Sequence, residues 1–244
     1  MSSKKKKKQV LKNKGWKYTI IYEDRDIVVV NKPAGLLCVP IPHSKADNLL
    51  QFLKRDLRHK SKEVNTVHRI DRYTSGIVVF AKNKPARHKL IQQFLSHTPK
   101  RTYLSLVRNR MENNQDTLVH YLKRIKSGFR NIVVSADDPK AGMARLSYKV
   151  MDRFPDTTLV EIELDTGLKN QIRVQLAQIG HGIVGDRHYS SKEKKEKLIN
   201  RPALHAWKLS FEHPSQNKEV SFSAEIPKDM QRLIDHYRGH SSGI

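Results

Sequence analysis

No stretch of the sequence restricts the possible folds more than Gly76–Ala81, six residues without a polar side chain. A short run of this kind next to turn residues is typical of a buried strand. Directly before it, the stretch His68–Ser75 contains a His, two Arg, an Asp, a Thr and a Ser. Asp71 lies within two positions of both arginines, whose positive charge favours the ionised carboxylate. Taken alone, such a cluster is more often a salt bridge in a surface turn than a catalytic site.

The net charge indicates a polyanionic partner. The 244 residues carry 47 Lys and Arg against 24 Asp and Glu, a formal charge of +23. Eight lysines and no acid lie in residues 1–17, and removing those eight leaves +15 on the remainder. Nucleic acid is the first interpretation of this charge, and an anionic membrane surface is the second. We expect residues 1–17 to form a basic, disordered tail and residues 18–240 to form a single domain.

Membrane and metal functions find little support in the sequence. No apolar run approaches the roughly 18 residues of a membrane span, and the basic N-terminus is followed by no apolar secretory segment. Cys38 is the single cysteine, so an intrachain disulfide and a cysteine-based metal site are excluded. The 12 histidines form no H-E-x-x-H zinc motif. We expect a cytoplasmic monomer with no membrane contact, no obligatory protein partner, no metal and no cofactor.

Hydrophobic periodicity predicts an α+β fold. The predicted strands are Tyr18–Tyr22, Ile27–Asn31, Gly76–Ala81, Lys100–Arg108, Ala144–Phe154, Thr157–Asp165, Leu204–Phe211 and Val220–Ala224. The predicted helices are Ala46–His59 (started by Ser44 or Asp47), Lys84–His97, Gln171–Ile179 and Asp229–Tyr237. We interpret Met111–Gly142 as an insertion or hairpin over the core, with short strands Leu118–Arg124 and Ile132–Ser135 and a turn at Gly128. Ser191–Asn200 is expected to be a charged linker or short helix.

Two short motifs resemble known sites but lack the context that those sites need. Gly180–Gly185 spells G-x-G-x-x-G, but it follows a helix and opens none, which argues against a dinucleotide site. We expect its glycines to allow a tight turn. His68–Asp71 resembles the kinase H-R-D triplet, but an extra residue interrupts it and no phosphate loop precedes it. His68, His181 and His205 are expected to be structural side chains.

Five segments, in order, resemble one enzyme family. The stretch His68–Lys82 is similar to H-R-L-D-x-x-T-S-G-L-L-L-F-A-K, a signature of the RluA-type family of RNA pseudouridine synthases. Glu23–Pro40 resembles the N-terminal motif of that family, and Lys100–Val107 resembles its K-x-Y-x-A-x-V strand. Leu164–Tyr189 resembles its L-x-T-G-R-T-H-Q-I-R-V-H…G-D-x-x-Y segment, and Leu204–Pro214 resembles its L-H-A-x-x-L-x-F-x-H-P segment. The resemblance extends from about Tyr18 to Tyr237.

The resemblance implies a fold, a reaction and a set of site residues. The fold is the pseudouridine synthase fold, a predominantly antiparallel mixed sheet flanked by helices and loops, with an active-site cleft across the sheet. The reaction isomerises uridine to pseudouridine in rRNA or tRNA without a cofactor. Asp71 matches the catalytic aspartate, Arg173 the arginine that pairs with it, and Tyr103 the tyrosine that stacks on the uracil. The expected RNA-binding residues are Arg69 (filling the stack after the base is flipped out), His68, Arg72, Thr74, Lys32, Asn170 and Gln171.

Two departures from the family pattern are visible. The family's Arg-Thr-His is Leu168-Lys169-Asn170 here, and its last His is Gln175. We expect no counterpart of the family's frequent S4-like RNA-binding module, and the lysine-rich tail stands in its place.

The alternative interpretation is a non-catalytic RNA-binding protein that retains the fold. The presence of Asp71, Tyr103 and Arg173 favours the enzyme, because a binding protein has no need of a charged catalytic pair.

Overall fold

The computed structural model describes residues 9–59, 63–125, 130–189 and 196–239. The chain divides into two compact units, Met1–Pro99 with Ala206–Glu225, and Lys100–His205 with Ile226–Ile244. The single domain expected over residues 18–240 remains a prediction. In the described part of the chain, no helix is long and apolar enough to span a membrane.

The described residues of the first unit form seven strands and two helices, numbered along the whole chain. These are β1 (Gln9–Asn13), β2 (Trp16–Glu23), β3 (Ile27–Lys32), α1 (Leu49–Asp56), β4 (Asn65–Thr66), β5 (Ser75–Ala81), α2 (Lys84–Leu95), β11 (Leu204–Glu212, of which the unit includes all but the first two residues) and β12 (Glu219–Ser223). The strand order is β1-β2-β3-β5-β11, with β4 beside β5 and β12 beside β11.

The centre of this unit is the antiparallel pair β3 and β5, in register from Ile27↔Ala81 to Lys32↔Gly76. Every residue of β5 is buried, which confirms the strand predicted at Gly76–Ala81. Val29, Val79 and the helix residue Leu90 are fully buried in one core cluster. Burying a side chain of this size contributes about 1.5–3 kcal/mol. The apolar run thus sets the position of the polar stretch that precedes it.

The N-terminal hairpin corrects one prediction. β1 pairs with β2 from Gln9↔Ile20 to Asn13↔Trp16, so the disordered tail is wrong for residues 9–17. Lys14 and Gly15 both have positive φ angles, as a two-residue hairpin turn requires. The buried Asn13 donates to Asp56 of α1 at 3.3 Å, which anchors the hairpin. The rest of the predicted tail, residues 1–8, lies outside the described residues.

The two helices of the first unit begin at asparagine caps. The Asn48 side chain accepts a hydrogen bond from the Gln51 backbone N–H at 3.0 Å, so α1 begins after Asn48 and not at Ser44 or Asp47. In α2, Asn83 accepts from the Ala86 N–H at 2.8 Å and a proline occupies the first turn. Both helices end earlier than predicted, at Asp56 and Leu95.

In the second unit, the part of the chain that the structure describes forms five strands and two helices. These are β6 (Lys100–Arg108), β7 (Gln115–Arg124), β8 (Asn131–Val134), β9 (Gly142–Arg153), β10 (Thr157–Leu164), α3 (Gln171–Gln178) and α4 (Lys228–Gly239). The strand order is β6-β10-β9-β7-β8, with antiparallel neighbours. Mostly antiparallel strands with four helices confirm the predicted α+β class.

Residues 111–142 do not form a hairpin over the core. β7 pairs with β9 from Gln115↔Lys149 to Leu122↔Gly142, and β8 extends the sheet beyond β7. The side chains of β7 alternate between the two faces of the sheet, since Leu118 is 7% exposed and its neighbour Val119 is 50% exposed. The segment is therefore an edge of the sheet. The turn expected at Gly128 and the first half of the linker expected at 191–200 lie outside the described residues.

Candidate functional site

In the first unit, Asp71 lies in a turn that leads directly into β5. Its backbone carbonyl accepts a hydrogen bond from the Thr74 N–H at 3.1 Å. Ile70 on one side is 6% exposed and Thr74 on the other is 3% exposed, whereas Arg72 and Tyr73 at the turn are exposed. Buried neighbours on both sides therefore fix the half-buried Asp71 in place.

A buried lysine fastens this turn to the segment after β3. Lys32 is fully buried, and its ammonium donates to the carbonyls of Leu36, Pro33 and Arg72 at 2.8, 2.9 and 3.0 Å. Gly35 and Arg72 exchange two further hydrogen bonds, one from the Gly35 N–H and one from the Arg72 Nε, both at 2.8 Å. Two sequence motifs about forty residues apart are joined in this way. Burial of Lys32 counts against its expected contact with RNA.

Charged groups of both signs surround the buried thiol of Cys38. The Cys38 thiol donates to the Ile70 carbonyl at 3.3 Å. Burial raises the pKa of this thiol, Lys32 and Arg69 act to lower it, and Asp71 acts to raise it. The basic groups Lys32 and Arg69 therefore share one neighbourhood with the Asp71 carboxylate.

Other residues of the same motif support the backbone. His68 Nε2 accepts a hydrogen bond from the Val79 N–H at 3.1 Å, and its ring stacks on Phe94 at 4.3 Å. The structural role expected for His68 is thus observed. Gly76 has φ +116°, and a Cβ there would lie 2.1 Å from the Ala206 carbonyl oxygen, so only glycine fits. The Thr-Ser-Gly of the motif reflects close packing of strands, and the burial of Thr74 counts against an RNA contact.

In the second unit, Arg173 is held by a carboxylate that sequence reasoning missed. Its Nε and Nη2 donate to the two oxygens of Asp186 at 2.6 and 2.8 Å, and both side chains are buried. Asp186 also accepts from the backbone N–H of His188 and Tyr189 at 3.0 and 3.3 Å. This bidentate, charge-assisted geometry fixes the plane of the guanidinium. The only sequence signal was the G-D-x-x-Y of the resemblance.

Tyr189 completes this arrangement. The Arg173 guanidinium lies over the Tyr189 ring, 4.9 Å from its centroid. The phenol oxygen accepts from the Asn131 N–H at 3.1 Å and from the Asn170 side chain at 3.2 Å. Asn170, an expected RNA contact, is half-buried in a left-handed conformation directly before α3. The loop before α3 and the loop after it are thus joined around Arg173.

The departures from the family pattern have structural partners. Gln175, in place of a histidine, is fully buried and donates to the carbonyls of Leu118 and Ala144, both at 3.1 Å.

Gln171, which matches the family pattern, is 2% exposed. Its amide accepts from the Leu168 N–H at 3.0 Å and donates to the Arg145 carbonyl at 3.0 Å. Because its amide is satisfied inside the loop, its burial also counts against an RNA contact.

The glycine motif has the turn role predicted for it. Gly185 has φ +78°, and a Cβ there would lie 2.2 Å from the Arg201 carbonyl oxygen. The loop also forms backbone hydrogen bonds with β6; for example, the Val184 N–H donates to the Leu106 carbonyl at 3.0 Å.

The expected site residue Tyr103 lies on the same strand, β6. It is opposite Ile162 of β10 and is 9% exposed.

The structure groups the expected site residues by unit. Asp71, Arg69, His68, Arg72, Thr74 and Lys32 belong to the first unit, and Tyr103, Arg173, Asn170 and Gln171 to the second. Within the first unit, Lys32 and Arg72 are joined directly by a hydrogen bond and Asp71 is in the same turn. Within the second, Arg173 and Asn170 are joined through Tyr189.

Comparison with known proteins identifies the family. The model of the RNA pseudouridylate synthase family matches residues 26–178. The uncharacterized RNA pseudouridine synthase YlyB of Bacillus subtilis (strain 168) is 35% identical over 224 residues, 90% of this chain and 72% of the relative. Ribosomal large subunit pseudouridine synthase D of Zymomonas mobilis is 34% identical over 227 residues, 88% of this chain and 71% of the relative.

A solved structure supports the same assignment at the level of fold. Human RNA Pseudouridylate Synthase Domain Containing 4 aligns with a TM-score of 0.75 at 22% identity, over 90% of this chain and 92% of that one. The chain belongs to the family of RNA pseudouridine synthases, isomerases that act on RNA. The RluA-type family and the pseudouridine synthase fold predicted from the sequence are confirmed.

Proposed function

We propose that this protein converts a specific uridine to pseudouridine in rRNA or tRNA, with Asp71 as the catalytic carboxylate. One observation carries the proposal. Asp71 is the half-buried carboxylate of a turn that the buried Lys32 and the strand β5 hold rigidly in place. A turn that serves only a surface salt bridge does not need the buried lysine and the buried strand that hold this one. The named relative that acts on the large ribosomal subunit favours rRNA over tRNA.

The reaction needs no atoms beyond those of the substrate. The N1–C1′ bond of the nucleotide breaks, the uracil rotates, and a C5–C1′ bond forms. The proton at C5 is lost and N1 gains one, so the product is an isomer and no cofactor is consumed. The ionised carboxylate of Asp71 acts at the sugar, and proton removal from C5 is a general-base step.

Two residues of the second unit are assigned by the family pattern. Tyr103 stacks on the uracil, and Arg173 pairs with the catalytic carboxylate; both roles remain predictions. The observed geometry of Arg173 suits such a role. Asp186 accepts from two of the five N–H groups of the guanidinium and fixes its plane. A fixed guanidinium orients a second carboxylate without an added loss of side-chain freedom.

A uridine stacked in folded RNA must be flipped out to meet a half-buried carboxylate, at a cost of a few kcal/mol. Arg69 is exposed beside Asp71 and has a planar guanidinium that can stack in the vacated position. Arg72, also exposed, and Asn170, half-buried, remain the other proposed RNA contacts. The formal charge of +23 supplies sequence-independent attraction to phosphates. We propose that the enzyme acts as a cytoplasmic monomer.

Release of tritium from RNA labelled at uridine C5 tests the proposal. Wild-type protein should release tritium from rRNA or tRNA, and Asp71→Asn should release none while its RNA affinity stays within about threefold of wild type, because the substitution is isosteric and removes only the charge. A large loss of binding by Asp71→Asn would assign Asp71 a structural role. Absence of release by wild type from every cellular RNA would favour the alternative, a non-catalytic RNA-binding protein.

A further inference from the structure

A groove in the first unit is lined mainly by basic side chains. Its volume is about 630 Å³, and it is bordered by Lys54 of α1, by Lys84, Arg87 and His88 of α2, and by Glu63 before β4. All five of these residues are exposed. The groove shares no residue with the Asp71 turn or with any expected RNA contact. Three full positive charges therefore face one carboxylate in a concave surface.

The basic residues of this groove lack the carboxylate partners found elsewhere in the same unit. Lys14 pairs with Asp47 at 3.2 Å, and Lys82 pairs with Glu23 at 2.8 Å. Within the described ranges, no ion pair and no side-chain hydrogen bond is formed by Lys54, Lys84 or Arg87. Unpaired cations clustered in a concave surface raise the local concentration of anions.

The position of two of these cations on α2 opposes the stability of the helix. Lys84, Arg87 and His88 are spaced i, i+3 and i+4, so they share one face of the helix. They lie in its first turns, where no acidic residue is present. Positive charge near a helix N-terminus is unfavourable by about 0.3–1 kcal/mol, and a bound anion removes that cost. A helix selected only for stability would carry acids at these positions.

We propose that this groove binds the phosphate backbone of the RNA substrate at a place separate from the reacting uridine. The inference rests on the proposed function, since it takes the polyanion to be RNA. The groove offers point charges and a guanidinium on flexible stems, and its lining is more polar than apolar, which suits phosphates of any sequence better than a protein side-chain pattern. The contact increases affinity for the folded RNA and leaves the chemical step unchanged.

The test compares two variants that lose the same charge from the same unit. The groove variant is Lys54→Gln/Lys84→Gln/Arg87→Gln. The control variant is Arg25→Gln/Lys89→Gln/Lys218→Gln, three exposed cations outside the groove, one of them on the same helix. RNA affinity is measured as a function of salt on an Asp71→Asn background, so that no turnover occurs. Thermal unfolding of the groove variant should match or exceed that of the control, because removing two cations favours the start of α2.

Each phosphate contact contributes about 0.7 to the slope of log affinity against log salt. The loss of three contacts therefore predicts that this slope falls by about 2 in the groove variant. Between about 50 and about 200 mM salt, wild type should therefore lose about 16-fold more affinity than the groove variant. The control should change the slope by less than half as much. Equal slopes in the two variants would overturn the proposal, since the effect would then come from net charge alone.

The tritium-release assay separates this inference from the proposed function. The groove variant on the wild-type Asp71 background should keep its turnover number at saturating RNA and require more RNA to reach it. A loss of turnover at saturation would contradict a pure phosphate contact. If wild type released no tritium but the groove variant still lowered the salt slope selectively, the proposed chemistry would fail while the RNA surface would stand.

Discussion

The carboxylate of Asp186 is predicted to hold the second unit together around Arg173. Replacing Asp186 by Asn keeps the size and shape of the side chain and removes one negative charge. The amide also turns one of the two acceptors facing Arg173 into a donor, so one of the hydrogen bonds at 2.6 and 2.8 Å is lost. The backbone N–H groups of His188 and Tyr189, which bond the same carboxylate, lose a charged acceptor as well.

The size of the effect follows from the burial of the pair. The side chain of Asp186 is fully buried and that of Arg173 is 10% exposed, so solvent screens the interaction only weakly. Removing one partner of a buried ion pair costs about 3–5 kcal/mol, because the other charge stays buried without its counter-charge. For a chain of this length, this loss corresponds to a fall in Tm of about 6–20 °C.

Urea unfolding followed by circular dichroism measures this loss. Asp165→Asn is the matched control, since Asp165 pairs with Arg145 at 3.2 Å in the same unit but both side chains are about half exposed. That exposed pair should contribute less than about 1 kcal/mol. Asp186→Asn should therefore be several-fold more destabilising than Asp165→Asn. If both variants unfolded within about 1 kcal/mol of wild type, the reasoning about burial would be refuted.

Two further predictions concern the first unit. Lys32→Met should lower the free energy of unfolding by about 3 kcal/mol or more, because the carbonyls of Leu36, Pro33 and Arg72 lose the charged donor that the buried lysine supplies; a loss below about 1 kcal/mol in urea unfolding would contradict this. Burial acts to raise the pKa of Asp24, but hydrogen bonds, first from the N–H groups of Ile27 and Asp26, bring it below the usual 3.8. The stabilisation from Asp24 is therefore present above pH 3.8 and lost as pH falls below it, so Asp24→Asn should flatten the acid limb of the stability curve; an unchanged limb would contradict the assignment.

Much of the fold could be predicted because its elements have strong local signals. The strand Lys100–Arg108 has the predicted bounds, and β3, β5 and α3 differ from the prediction by one residue at an end. Each combines a clear apolar period with a nearby turn residue or helix cap. Such signals depend only on neighbours in the sequence, which is why a single sequence reveals them.

The errors occurred where pairing with another strand, and not the local composition, orders a segment. β1 looks like a polar tail, and what orders it is the pairing with β2 and the bond from Asn13 to Asp56, forty-three positions away. β7 looks like an insertion because its polar face dominates the composition, whereas its pairing with β9 places it in the sheet. Neither contact leaves a trace in local periodicity.

The site shows the same division. The resemblance led to Asp71, Tyr103 and Arg173, but it could not show that Lys32 supports the turn of Asp71 through three carbonyls. A buried lysine and an exposed one are the same letter in a sequence. For Lys32, the resemblance implied an RNA contact, whereas its burial and its three carbonyl partners favour a structural role.

This difference has a consequence for how the charge of +23 acts on RNA. The fully buried Lys32 has acceptors in the protein, so its removal should change stability and leave the salt dependence of RNA binding nearly unaltered. Lys84 is exposed and has no such partner among the described residues, so its removal should change the salt dependence and leave stability unaltered or slightly raised. We therefore expect the phosphates to be contacted by those cations that have no carboxylate or carbonyl of the protein as a partner. The number of such cations is smaller than the net charge suggests.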